Sequence, residues 1–162
     1  MAFFDWVFKQ RYDSEKAWLN ALLDHTENWY NEITEPLKDL LFRHSMGRVD
    51  FPASQIQEIA RQLFFNKIES NHGNYVRNTL EQMNDRGIPL FTSRHKLQAR
   101  AEQFLESGHF LKEVVIVCHD WPQMTDSAQY QALRAVRTGW EGFGVSKERL
   151  VIEINHQLRR LG

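Results

Sequence analysis

The sequence predicts a helix-rich α/β fold: a helical N-terminal part packed on a small, mostly parallel three-stranded sheet with crossover helices. Three observations predict it. Residues 1–87 carry apolar side chains at helical spacing. After Gly87 the hydrophobic period changes, and the runs Val114-Val115-Ile116-Val117 and Leu150-Val151-Ile152-Glu153-Ile154 read as strands. Helix-length segments separate these runs, the spacing of right-handed parallel crossovers. A chain of 162 residues, 42% of them hydrophobic, suits one domain, taken as 1–162 with a helical subregion (1–87) and a β-α-β-α-β subregion (88–162).

The helical elements follow from spacing and breakers. Asp13-Ser14 opens a segment with Ala17, Trp18, Ala21, Leu22, Trp29 and Ile33 on one stripe. Thr34-Glu35-Pro36 reads as a fresh helix start, because Pro is tolerated in a first turn, and Leu37, Leu40, Leu41 and His44 continue until Gly47. Ser54 and Gln57 have capping-box spacing ahead of Ile56, Ile59, Ala60, Leu63, Phe64 and Ile68. Asn71-His72-Gly73-Asn74 reads as a break before a shorter helix with Val76, Leu80 and Met83, ending at Gly87.

In the second subregion Ile88-Pro89-Leu90-Phe91 is a short strand with Pro at its start. Ser93 caps a helix carrying Leu97, Ala101, Phe104 and Leu105, closed by Gly108. The run at 114–117 forms the second strand. A helix from about Thr125 to Thr138 leads through a loop at Gly139, Gly142 and Gly144 to the third strand at 150–154.

Charge excludes a generic polyanion binder, since the net charge is −1. Residues 1–85 carry 9 Lys+Arg against 13 Asp+Glu, and residues 86–162 carry 11 against 8. A basic face from Arg94, Lys96 and Arg100, from Arg134 and Arg137, and from Arg159 and Arg160 is therefore read as solvated surface, and nucleic acid is not expected as a partner. The single Cys118 cannot form an internal disulfide and reads as a buried thiol; a cytoplasmic location is expected. There is no apolar run of spanning length, and the first eight residues lack a basic n-region.

In parallel sheets ligands bind beyond the carboxyl ends of the strands. Those ends would hold Thr92, Ser93, Arg94 and His95, then His119 and Asp120, then His156. The first group offers hydroxyls, free helix N–H groups and basic side chains, an anion site. His119 and Asp120 are the candidate catalytic pair for proton transfer. Leu90-Phe91-Thr92-Ser93, with the later run ending in Asp120, resembles the second and fourth motifs of haloacid-dehalogenase-like phosphatases, but that family's Asp-x-Asp has no counterpart here. His119-Asp120-Trp121 is similar to a segment of some α/β-hydrolases, without their Gly-x-Ser-x-Gly elbow. No functional residue carries over from either. Neither a metal site nor a cofactor motif is read from the chain.

Two functions follow as expectations. The first is a soluble protein–protein interaction module: an adaptor, a regulator or an immunity-type binding partner, binding another protein or a second copy of itself. Its motive is the aromatic share of 12%. Trp18, Trp29, Phe64 and Phe104 fall on helical stripes and are assigned to the core, leaving Phe3, Phe4, Trp6, Trp121 and Trp140 as interface candidates. The alternative is an enzyme or sensor that binds a phosphate-bearing small ligand at the strand ends.

Overall fold

The computed structural model of the chain describes residues 15–69, 71–86 and 94–162, including the side chains of all but 65–69, 82–86 and Arg94. Two long helices, α1 (Glu15–Ser45) and α6 (Asp126–Arg160), lie antiparallel. His44 near the end of α1 meets Tyr130 near the start of α6, while Glu27 and Tyr30 meet Lys147 and Phe143 farther along. Between them in sequence run α2 (Ala53–Glu69), α3 (Asn71–Arg86), α4 (Arg94–Ser107), α5 (Phe110–Asp120) and a 3-10 turn at Trp121–Gln123. α2 packs on α1 and α5; α3 packs on α1 and α4; α4 and α5 both pack on α6. One half of the long pair is thus flanked by α2 and α5, the other by α3 and α4.

The described residues contain no strand, so the fold is a helical bundle and the α/β expectation is corrected. The run at 114–117 lies in α5 and the run at 150–154 in α6; the proposed strand at 88–91 lies outside the described residues. In α5, Leu111, Val114 and Cys118 are buried while Ile116 is 59% exposed. That is a helical stripe, and burying it against α2 and α6 outweighs the weak β preference of valine and isoleucine. In α6, Leu150 and Ile154 are fully buried and Ile152 is 61% exposed, a four-residue repeat where a strand buried on both faces would hide all three.

The α6 pattern is longer than the sequence reading allowed. Leu133, Val136, Trp140, Phe143, Lys147, Leu150, Ile154 and Gln157 are all buried or half-buried, in alternating steps of three and four residues. On α1, Leu19, Leu22, Thr26, Trp29 and Ile33 do the same. Such spacing keeps one seam of each helix facing its neighbour. Thr125 caps α6, its hydroxyl accepting from the Ala128 N–H at 3.2 Å, where the sequence places the start.

Glycine and proline are placed by packing more than by breaking helices. Pro36 lies inside α1, so the expected restart at Thr34 does not occur; the Thr34 hydroxyl instead donates to the Tyr30 carbonyl at 2.9 Å. Gly47 does end α1: its φ is +74°, and the Arg48 N–H reaches back to the Arg43 carbonyl at 3.0 Å. Gly73 is inside α3, and Gly139, Gly142 and Gly144 are inside α6 rather than in a loop. A Cβ at Gly139 would stand 2.7 Å from Phe110 Cβ, and one at Gly73 would stand 2.7 Å from Trp29 Nε1. Gly139 and Gly73 each let a ring lie directly on helix backbone. The intrinsic helix cost of about 1 kcal/mol per glycine is offset by that contact.

Those rings form the centre of the core. Phe143 stacks on Phe104 at 4.9 Å and on Tyr30 at 5.4 Å, and takes the edge of Trp29 at 5.4 Å. Phe110 closes the group at 5.7 Å. The assignments of Trp18, Trp29 and Phe104 to the core hold, with none more than 8% exposed.

Candidate functional site

The predicted ligand site loses its scaffold with the sheet. Thr92 and Ser93 lie outside the described residues; Arg94 opens α4, and His95 beside it is exposed. His119 Nδ1 sits 3.1 Å from Asp120 Oδ1, yet the two side chains are 86% and 56% exposed at the end of α5. His156 is exposed near the far end of α6. About thirty residues of α6 at 1.5 Å each put some 45 Å of helix between the two neighbourhoods. His119 and His156 therefore belong to opposite ends of the bundle and share no crevice.

The interface candidates divide. Phe3, Phe4 and Trp6 lie outside the described residues. Trp121 is no exposed anchor: it is 4% exposed and takes Phe51 edge-on at 5.7 Å, because the 3-10 turn folds it back under α2. Trp140 is half-buried and lines a shallow groove with Tyr30, Val145 and Lys147. Lys147 bridges to Glu27 at 2.8 Å and lies 5.2 Å over the Tyr30 ring. Burial raises the Tyr30 hydroxyl above its ordinary range, so it stays protonated at neutral pH.

A different surface is the better site. Between α2 and α5 runs a groove of about 460 Å³. Ile56 and Ala60 of α2 form one wall and Val115 and Cys118 of α5 the other; Phe64 and His119 stand at its margin. Ile56 and Cys118 are buried, whereas Phe64 is 57% exposed. That corrects the core assignment of Phe64. On α2 the positions Ile56, Ile59 and Leu63 turn inward, and Phe64, 100° on from Leu63, falls outside that seam.

The groove's chemistry is apolar with a charged edge. Burial pushes the Cys118 thiol up to about 11, so it is neutral and packs as a small hydrophobe. Arg61, a further lining residue, binds Glu58 through both guanidinium contacts, at 2.6 and 3.0 Å. Hydrogen bonds from Arg61 and Gln62 hold the Glu58 carboxyl down to about 2. The sequence contained the signal for this surface: Ile56, Ala60 and Phe64 recur every four residues, a second stripe beside the one that packs. No described helix is long and apolar enough to cross a membrane. No family model, no curated protein and no solved structure matches this chain.

Proposed function

We propose that the protein is a helical docking module whose α2–α5 groove receives an apolar segment of a partner protein. One observation carries this reading: a large aromatic side chain, Phe64, is 57% exposed beside an apolar groove of about 460 Å³. A furrow between two packed helices fits the apolar face of a third helix. An aromatic at the edge of a desolvated pocket is the side chain on which interface energy concentrates. Arg61 and Glu58 supply the polar rim.

The test is photo-crosslinking from position 64, with a crosslinking phenylalanine analogue introduced there and, for comparison, at Ile152, which is equally exposed on α6. A discrete protein adduct from position 64, absent from 152 and abolished by Ala60→Arg, supports the reading. Equal labelling from both positions would overturn it. Sedimentation velocity on the purified protein tells whether the adduct is a second copy of the chain.

A further inference from the structure

α1 and α3 are joined by a pair of histidines. His25 on α1 is 8% exposed, and its Nδ1 lies 2.7 Å from Nδ1 of His72 on α3. Tyr75, one turn along α3 from His72, stacks on His25 with ring centres 4.2 Å apart and planes 11° from parallel. On the other side of His72, Glu32 Oε1 is 3.5 Å from Nε2. Seven residues separate His25 from Glu32, so both project from one face of α1. The chain of groups therefore runs Glu32, His72, His25, with Tyr75 closing over the buried ring.

The contact fixes how many protons the pair can hold. A hydrogen bond between two Nδ1 atoms needs one to carry hydrogen and the other to offer a lone pair. Two neutral rings satisfy this when they adopt opposite tautomers. One added proton also satisfies it: His72 then donates Nδ1–H to His25 and turns Nε2–H towards the Glu32 carboxylate. A second added proton cannot be accommodated. It places hydrogen on both facing nitrogens and sets two cations against each other at a site where His25 is out of water.

We propose that the His25–His72 pair is a proton-sensitive latch between α1 and α3, closed with at most one added proton and opened by the second. Gly73, next to His72, lies against the Trp29 ring, and beside it a cavity of about 190 Å³ is lined by Trp29, Asn74, Arg77 and His109. Acidification releases α3 at this seam and widens that cavity. Among the described residues, the titratable and charged groups near the pair include Glu32 from α1 and Tyr75 from α3, with Arg77, Glu106 and His109 lining the cavity beside Gly73. On α6, Lys147 pairs with Glu27, which lies 200° around α1 from His25. On α2, Glu58 and Arg61 bind each other, and on α4 Arg100 donates to Gln103.

Hydrogen exchange on the intact protein from pH 7.5 to 5.0, expressed as protection factors, tests the latch. Opening takes up one more proton than the closed pair holds, so the α3 opening constant should rise by up to about tenfold per pH unit as the pH falls through this range. The α6 amides around Phe143 should keep their protection. His72→Asn, which retains a neutral hydrogen-bonding group, should remove the pH dependence of α3. Glu32→Gln leaves the pair but removes the carboxylate that favours the closed, singly protonated form, and should move the opening to higher pH. The latch is overturned by α3 protection that does not change down to pH 5, by a parallel fall in wild type and His72→Asn, or by an unmoved midpoint in Glu32→Gln. Zinc chloride added at pH 7.5 should leave the melting temperature unchanged; a chelator-reversible rise would show that the rings hold a metal ion in place of the proton.

Discussion

The aromatic centre and the α2–α5 groove are built from similar apolar side chains and end in opposite states. At the centre, Phe143 meets Trp29, Tyr30, Phe104 and Phe110 from three other elements and is fully buried. Glycines in α3 and α6 bring backbone directly under the rings at Gly73 and Gly139, so little space is left to yield. In the groove, by contrast, Ile56 and Cys118 are covered but Phe64 remains over half exposed. No glycine in α2 or α5 lets those two helices close on each other. The difference teaches that residue size at the crossing decides which surface seals. Rings against glycine make a closed core, whereas side chain against side chain on two short helices leaves a furrow.

The largest expected effect breaks the centre. Phe143→Ala should cost about 3–5 kcal/mol in urea denaturation; a loss below 1 kcal/mol would mean the aromatic group is not the core that holds the bundle. Gly139→Ala comes next. Its new methyl collides with Phe110, and overpacking of about 1–3 kcal/mol should exceed the gain of about 1 kcal/mol in helix propensity.

A third effect is read in pH. His44, 7% exposed at the α1–α6 end, is held below the ordinary imidazole range by burial, with Arg137 and Arg134 adding to the effect. Its folded value lies below its unfolded one, so the unfolded chain takes the proton first as the pH falls. Its contribution to stability is complete above about pH 6.5 and declines below it, by no more than about 1.4 kcal/mol per pH unit. Chemical denaturation at pH 7.5 and 5.5 should show a shallower fall for His44→Leu than for wild type; identical slopes would remove His44 from the account.

The next effect is a gain. Gly142 lies three residues from Gly139 on the same helix, with nothing within 4 Å of a new Cβ, so Gly142→Ala should stabilise by about 0.5–1 kcal/mol. Opposite signs at Gly139 and Gly142 would sharpen the distinction between sealed and open faces. The smallest expected change in stability is that of Phe64→Ser, within about 0.5 kcal/mol. If that variant instead unfolds the protein, Phe64 is core and the groove is closed in solution.

The helical half was legible from residues whose signals agree. Trp18, Leu22, Trp29 and Ile33 give the period of α1, Gly47 ends it, and Thr125 starts α6. Errors arose where one residue type permits two structures. Val114–Val117 fits a buried strand or a helix with one wet position. Gly139 and Gly144 suit a loop or a close ring contact equally well, and Pro36 suits a first turn or a tolerated interior. For the site, the four-residue repeat of Ile56, Ala60 and Phe64 was visible, but a stripe does not say whether a neighbour covers it.

By itself the sequence determined the end of α1 at Gly47, the start of α6 at Thr125 and the apolar stripe of α1, because capping, left-handed glycine and helical period act over a few residues. The tertiary structure alone decided that the β-branched runs are helical, that Trp121 is buried and Phe64 exposed, and that His25 meets His72. Each of those outcomes depends on which surface arrives from 40 or more residues away. Burial against that surface outweighs the small local preferences that the sequence expresses.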